Sequence, residues 1–321
     1  MAKDMVGSTA WKCYHRDGKP LAPKRHPTAI VTAVEPRALA APVPEEGRRG
    51  ELAAALREHW PEYLIEGALL GIFMVAACAF TSLLEHPDSP VRQALDNGFL
   101  RRALMGLAMG LTAVAIIYSA WGKRSGAHIN PATTLTFLRL GKVERADAFF
   151  YAASQCVGAV LGVGLVSLAL PGPARHPAVR FAATVPGERG SLVAFVSEVA
   201  ITFILMSVIL AISNAPRWNR FTGLAAGTCV ALFITFEAPL SGMSMNPARS
   251  LGSAVAAMTW SCLWIYFLAP PLGMLLAAEV RLRGRGLASV LCAKLHHENS
   301  ERCIFRCEYP VCGPPAARRP S

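Results

Sequence analysis

The chain has 321 residues, of which 53% are hydrophobic and only 17% are charged, and its mean hydropathy is +0.37. This composition excludes an ordinary soluble domain of this length and indicates a membrane protein. The formal net charge of +11 then favours attraction to anionic lipid over nucleic-acid binding, because basic tails on a multispan protein mostly act as anchors.

The N-terminal segment, residues 1–60, is basic and contains proline but no apolar core. This pattern lacks the features of a cleavable signal peptide. We therefore predict a disordered cytoplasmic tail over residues 1–60.

Six apolar runs are long enough to cross about 30 Å of hydrocarbon. They are Tyr63–Leu84, Ala103–Trp121, Ala148–Leu170, Leu192–Ser213, Thr222–Leu240 and Ser261–Ala278. Six crossings place both termini on one side, and the basic residues of the two tails make that side cytoplasmic under the positive-inside rule. We predict a multi-pass protein of the cell membrane, plasma or inner, with both termini cytoplasmic. The arginines that fall on the outer side and count against this orientation are Arg101, Arg102, Arg175, Arg180 and Arg189.

Two short stretches between apolar runs are near copies of each other. The stretch "SGAHINPATT" covers residues 125–134 and "SGMSMNPARS" covers residues 241–250, so that Asn130 and Asn246 lie 116 residues apart. Each copy is too short to cross the bilayer, because the ten residues from Pro131 to Leu140 would make a helix only about 15 Å long. The copies therefore predict two half-helices.

The surrounding halves correspond as well. Each opens with a span that carries one acid near its start, Glu66 or Glu198, and continues with a span that has two glycines four residues apart. Because each half makes three crossings, the second enters from the opposite face, which is the pattern of an inverted repeat. The predicted segments are repeats over residues 61–171 and 191–280, a channel domain over 61–280 and a cytoplasmic Cys/His-rich tail over 281–321.

The Asn-Pro-Ala tripeptide suits a helix start at the bilayer midplane. Asn is a favoured N-cap, and Pro is favoured at the first helical position. A capping carboxamide oxygen would leave its NH2 group free to point into a lumen. Because non-helical backbone at this depth is tolerated only where it is buried or lines a water-filled cavity, the repeat predicts a pore.

These motifs, together with Glu66, Glu198 and the "SQCVGAVLG" stretch that contains Gln155, resemble the aquaporin, or major intrinsic protein, family over about residues 60–280. The resemblance implies an all-α membrane protein with six transmembrane helices and two re-entrant half-helices. It further implies a homotetrameric passive channel that conducts water and excludes protons and ions. No nucleophile, base and orienting group converge on any span, so an enzyme is not expected.

The resemblance also implies the pore residues. The motif residues are Asn130, Pro131, Ala132, Asn246, Pro247 and Ala248. The selectivity filter would consist of Arg249, Ile234, Met243 and either Met109 or Gly110. The last position stays open, because the segment before the first motif is one residue longer than the usual pattern.

The buried acids have two interpretations. By resemblance, Glu66 and Glu198 accept hydrogen bonds from the re-entrant loops, and Gln155 is a structural polar residue beside them; the alternative is a proton relay. His128, two residues before Asn130, is either a packing residue or a pH sensor.

The substrate is water or, as the alternative, glycerol or another small neutral solute. Water-selective relatives often carry His at the position of Ile234, which argues against water. The residues after the second motif favour water, because glycerol-conducting relatives typically have an acid and a base at Ser250 and Ala254. Less favoured classes are a secondary transporter, which needs ion-binding charges that the spans lack apart from Arg249, and a membrane-anchored metal sensor.

The C-terminal tail contains soft metal ligands within "CAKLHHENSERCIFRCEYPVC". The candidate ligands for zinc or iron are Cys292, His296, His297, Cys303, Cys307 and Cys312. Their spacing is not that of a standard zinc finger, so a reduced, metal-free tail is the alternative. No other cofactor is expected.

Overall fold

The computed structural model describes residues 12–14, 45–297, 299, 301–309 and 311–313. They belong to two units. In the first unit, strand β1 (Lys12–Tyr14) pairs antiparallel with β2 (Val311–Gly313), with Cys13 opposite Cys312. The second unit spans residues 49–307 and is helical. Most of the predicted disordered tail, residues 1–11 and 15–44, lies outside the described residues.

The helices follow one another with short connections. In chain order they are α1 (Glu45–Glu85), α2 (Pro90–Ala94), α3 (Gly98–Tyr118), α4 (Ala120–Ser125), α5 (Pro131–Arg139), α6 (Arg145–Ala169), α7 (Pro171–Arg175), α8 (Gly190–Ser213), α9 (Thr222–Phe236), α10 (Ala238–Ser241), α11 (Pro247–Ala257) and α12 (Leu263–Arg285). Short 3-10 turns lie at Arg180–Ala182, Asn219–Phe221 and Leu287–Ser289.

Six helices among the described residues are long and apolar enough to cross a membrane, which confirms the predicted number of spans. They are α1, α3, α6, α8, α9 with its preceding turn, and α12. Large apolar side chains such as Leu161, Leu168 and Leu192 point outwards and are exposed, as expected of a surface that faces lipid. We call the face at which α1 begins and α12 ends the terminal face, and the face at the other end of these helices the opposite face.

Two helix ends differ from the sequence prediction. The helix α1 begins at Glu45 and not near residue 61, because "EEGRRGELAAALREHW" is rich in helix-favouring Glu, Ala, Leu and Arg although it is too polar to register as a span. The helix α9 ends at Phe236 and not at Leu240, because Pro239 near the start of α10 cannot continue the α9 hydrogen bonding.

Helices pack closely through glycine, both between the two halves of the repeat and within the first half. The helix α3 lies along α9, and a Cβ added at Gly110 would approach the carbonyl oxygen of Gly227 to 2.6 Å, while one at Gly227 would approach that of Gly110 equally. A Cβ at Gly67 of α1 would lie 2.7 Å from the carbonyl oxygen of Ser154 in α6. Larger side chains would force these helices apart, so these glycines mark close helix crossings.

The two predicted half-helices are α5, with nine residues, and α11, with eleven. At 1.5 Å per residue they are about 14 and 17 Å long. The helix α5 packs on α12, α11 packs on α6, and α5 and α11 touch each other. Each half-helix therefore lies against the third span of the other half, and this exchange locks the two halves together.

Candidate pore and selectivity filter

The loops before the two half-helices have the same unusual backbone conformation. Positive φ angles recur at three equivalent positions: Gly126 (100°), Ala127 (55°) and Ile129 (40°), matched by Gly242 (76°), Met243 (51°) and Met245 (57°). For residues other than glycine this conformation costs on the order of 1–3 kcal/mol each, and it persists only where the surroundings enforce it.

In the first loop, Glu66 enforces this backbone conformation. This carboxylate is fully buried and accepts hydrogen bonds from the Ser125 hydroxyl (2.7 Å), the His128 N–H (3.0 Å) and the Ile129 N–H (2.6 Å). The Gln155 side chain donates a fourth (2.8 Å). Four donors on one carboxylate leave little capacity for a proton relay, and the arrangement favours the structural interpretation.

In the second loop, Glu198 takes the same position. It is fully buried and accepts hydrogen bonds from the Ser241 hydroxyl (2.9 Å), the Ser244 N–H (2.6 Å) and the Met245 N–H (2.8 Å). Both acids therefore replace the backbone acceptors that these loops lack.

The two motif asparagines join the loops at the centre. The Asn130 side-chain oxygen accepts a hydrogen bond from the Ala132 N–H (2.9 Å), and that of Asn246 accepts from the Ala248 N–H (3.0 Å). The Asn130 Nδ2 donates to the Met245 carbonyl (2.7 Å), and the Asn246 Nδ2 donates to the Ile129 carbonyl (2.7 Å). The sequence predicts free NH2 groups, but in the structure one N–H of each ties the two loops together. An amide nitrogen has two hydrogens, so these bonds use only one of the two on each asparagine.

One cavity contains most of the predicted filter. It has a volume of about 400 Å³, and its walls include Met109, Ile234, Met243 and Arg249. Gly110 lies against α9 instead. Of the two residues that the sequence leaves open, Met109 is therefore the one that lines this cavity.

Arg249 is one of the charged residues that line this cavity. Its backbone N–H donates to the Asn246 side-chain oxygen (3.2 Å), and its guanidinium interacts electrostatically with Glu198. The Nη1 atom is buried and has no hydrogen-bond partner among the described residues. A buried donor without a partner is costly, and a molecule passing through the cavity would satisfy it.

Arg102 and Arg180 also line this cavity. Arg102 lies near the start of α3 and so belongs to the end towards the opposite face. In the sequence, both arginines count only against the predicted orientation. Their positive charge on the predicted outer side is the one sequence feature that could have identified them as cavity residues.

At the terminal face, His128 is enclosed by the C-terminal segment. Its Nδ1 lies 3.0 Å from the Thr134 hydroxyl, and its Nε2 lies 2.9 Å from the Ala293 carbonyl. Because that carbonyl can only accept, Nε2 carries the proton and Nδ1 accepts from Thr134. The ring stacks on Phe305 with centroids 5.1 Å apart and planes 8° apart. These contacts favour the packing interpretation of His128.

The structure brings four of the six candidate metal ligands together. One ligand atom each from Cys292, His297, Cys303 and Cys307 lies within 4.8 Å of the others. His296 instead packs edge-on against Tyr118 at 5.0 Å. The side chain of the sixth candidate, Cys312, lies outside the described residues.

The thiols of this cluster are not equivalent. Hydrogen bonds from the Cys292 and Cys307 thiols lower the pKa of Cys303 to about 3. The hydrogen bond to Cys303 raises the pKa of Cys292 well above its usual value. Cys303 therefore becomes a thiolate, the form that binds metal, more readily than Cys292.

The family model described as major intrinsic protein matches residues 55–280. This chain belongs to the major intrinsic protein family. Among relatives, aquaporin-4 of Dipodomys merriami is 38% identical over 180 residues, which cover 54% of this chain and 53% of that protein. Glycerol uptake facilitator protein-like 6 of Lactiplantibacillus plantarum is 37% identical over 54% of this chain and 81% of its own length. Aquaporin NIP1-1 of Zea mays is 32% identical over 73% of this chain and 80% of its own length.

The chain thus spans about half the length of aquaporin-4 and most of the other two proteins. Among solved structures, the aquaglyceroporin from Plasmodium falciparum superposes with a TM-score of 0.58 and covers 72% of this chain and 99% of its own. At 21% sequence identity, this likeness concerns the fold. Members of the major intrinsic protein family are membrane channels, so the family favours a channel over the secondary transporter and the membrane-anchored sensor.

Proposed function

We propose that this protein is a passive channel that conducts water along osmotic gradients and excludes protons and ions. The observation that carries the proposal is the meeting of two half-helix N-termini at Asn130 and Asn246, whose amides bridge the two loops. The start of a helix carries about half a positive charge, so two such ends that face one another repel cations. The same barrier operates in aquaporin-type pores generally.

The filter supports water as the main substrate. Three of its walls, Met109, Ile234 and Met243, are apolar, and Arg249 supplies the fixed donor. These apolar walls offer glycerol few partners for its three hydroxyl groups, whereas one water molecule needs fewer partners. Desolvation therefore opposes the larger polyol.

Glycerol or another small neutral solute is the second candidate. The observation in its favour is Ile234 in the cavity wall, where water-selective relatives often carry His. Relatives named for water channels and a relative named for glycerol uptake match this chain about equally well, so the relatives do not decide between the two substrates.

The orientation and assembly extend the proposal. Basic tails favour a cytoplasmic terminal face, which directs the cavity with Arg249 outwards. We place the protein in the cell membrane with lipid as its surroundings and with no role for nucleic acid. Assembly as a homotetramer stays a prediction that rests on the family.

Stopped-flow light scattering on proteoliposomes tests the proposal with water, glycerol and urea gradients. Because residues 287–307 contact the terminal face, the experiment uses both the intact chain and the Phe305→Ala variant, with protein-free liposomes as the control. We expect water flow to be faster than in protein-free liposomes, and glycerol and urea entry to be no faster than in those liposomes. Fast glycerol entry would establish the second candidate, and no acceleration in either protein would overturn the channel proposal.

A further inference from the structure

The C-terminal segment, residues 287–307, crosses the pore mouth on the terminal face. It is attached to elements on every side of that mouth. The contacts are Arg302 with Glu58 of α1, His296 with Tyr118 of α3, Leu295 with Gly126 and Ala293 with His128 of the first loop, Arg306 with Lys142 and Glu144 before α6, and Leu291 with Asn214 after α8.

The segment is packed like a core although it has little regular structure. Ala293 and Lys294 are at most 1% exposed, and Phe305 is 4% exposed. After the turn at Leu287–Ser289, its described residues through Arg306 form no helix or strand. An irregular segment of this length buries too little apolar surface to fix one conformation by itself, and small folded units of this kind are usually held by disulfides or a metal ion.

The four clustered ligands have the chemistry and spacing of a zinc site. Zinc takes thiolates at about 2.3 Å and imidazole nitrogens at about 2.0 Å in a tetrahedron, which for three thiolates and one imidazole separates the ligand atoms by about 3.5–3.8 Å. The Sγ atoms of Cys292 and Cys303 are 3.6 Å apart, and His297 Nε2 lies 2.9 Å from the Cys307 Sγ. Small side-chain adjustments would complete the tetrahedron. Three thiolates and one imidazole favour zinc over hard cations.

Lys294 supplies the surroundings that such a site needs. Its backbone N–H lies 3.5 Å from the Cys292 Sγ, and its Nζ donates to the carbonyls of Glu301 (3.1 Å) and Arg302 (2.7 Å). Zinc bound by three thiolates and one neutral imidazole carries a net charge of −1, which the buried ammonium group offsets. The lysine also joins the two ends of the ligand-bearing segment.

The ligands flank both residues that close over His128. Ala293, whose carbonyl accepts from His128, directly follows Cys292, and Phe305, which stacks on the His128 ring, lies between Cys303 and Cys307. Fixing the four ligands therefore fixes both contacts with the first loop, only two residues from Asn130.

We propose that Cys292, His297, Cys303 and Cys307 bind one zinc ion, which holds residues 287–307 across the terminal-face mouth and so limits conduction. The metal site stands on its own geometry, while the effect on conduction rests on the proposed function.

Metal analysis tests the site without any transport. Full-length protein purified under reducing conditions without a chelator is expected to contain about one zinc per chain, since four ligands fill one tetrahedral site. Cobalt(II) in its place should show thiolate charge-transfer bands and the intense visible bands of tetrahedral coordination. His297→Ala and Cys303→Ser should lose both signals, while their matched controls His296→Ala and Cys229→Ser should keep them. Intact protein that contains no zinc and takes up none on dialysis, or a His297→Ala variant that keeps it, would overturn the site.

Water flow in proteoliposomes tests the effect on conduction. A membrane-permeant chelator or the Cys303→Ser substitution should raise the water permeability several-fold, and added zinc should reverse the effect of the chelator only. Phe305→Ala should raise it while the zinc content stays at the level of the intact protein. Elution volume and helical circular dichroism identify any variant that misfolds. Water flow that does not change on chelation would overturn the mouth closure. No flow in any variant would overturn the proposed function, with the metal analysis still deciding the site.

Discussion

The two mouths of the pore are built on loops of the same conformation, but the side chains around the two loops differ. The loops share positive φ angles at positions 116 residues apart, and each has an asparagine that reaches the other loop. Each loop also donates to a buried glutamate, Glu66 or Glu198. One position further on from each motif, Thr133 of the first half contacts the Met274 sulfur, whereas Arg249 of the second half lines the open cavity. The two loops are therefore built symmetrically, while single residues on them have different surroundings on the two sides.

The same comparison holds just before each motif. His128 is large enough to reach Ala293 and stack on Phe305. Its counterpart Ser244 is small and bonds within its own loop, to the Ser250 hydroxyl at 2.5 Å. One side chain thus reaches the covering segment, and the other leaves room for a cavity.

The largest effect should come from removing either buried acid. Glu66→Ala leaves the donors of Ser125, His128, Ile129 and Gln155 without an acceptor, and each such buried group costs about 1–3 kcal/mol. We expect Glu66→Ala and Glu198→Ala to lower the Tm of the detergent-solubilised protein strongly and to a similar extent. Glu66→Gln keeps an acceptor and should be milder. A Tm for Glu66→Ala that equals the wild-type value would mean that the two loops are not supported symmetrically.

The next largest effect concerns the meeting point of the two half-helices, where Asn130 and Asn246 make equivalent hydrogen bonds. Asn130→Asp or Asn246→Asp would place a carboxylate at the positive helix ends, and attract the cations that these ends repel. We expect reduced water flow and a new cation leak of similar size from both variants, measured with a potential-sensitive dye in proteoliposomes. Variants that insert correctly, keep their water flow and leak no cations would show that Asn130 and Asn246 do not line the path.

The smallest effect concerns the filter, where the halves differ. Arg249→Ala removes several donors and widens the cavity, so the glycerol-to-water permeability ratio should rise several-fold. Met243→Ala changes only the width and should raise it less. Thr133→Ala, at the position equivalent to Arg249, is the matched control and should leave the ratio unchanged. If the Arg249→Ala ratio stayed at the wild-type value in proteoliposomes, the constriction would lie elsewhere.

The sequence alone determined the six spans, the inverted repeat and the two half-helices. Long apolar runs, the repeated tripeptide and the paired Glu66 and Glu198 are local or repeated patterns, and bilayer thickness and backbone hydrogen bonding restrict how such patterns can fold. The start of α1 at Glu45 was missed, because hydropathy detects burial in lipid and not a helix that continues beyond it.

Only the tertiary structure decided which residues meet across the chain. Met109 and Gly110 are adjacent in sequence and differ only in helix face, so the packing of α3 on α9 was needed to place Met109 in the cavity. The bonds from each asparagine to the opposite loop join residues more than a hundred positions apart. Phe305 gives no sign in the sequence that it stacks on His128, because its segment has no periodicity that could reveal its partner. Contacts between distant segments depend on where the helices place them, and that placement is a property of the whole fold.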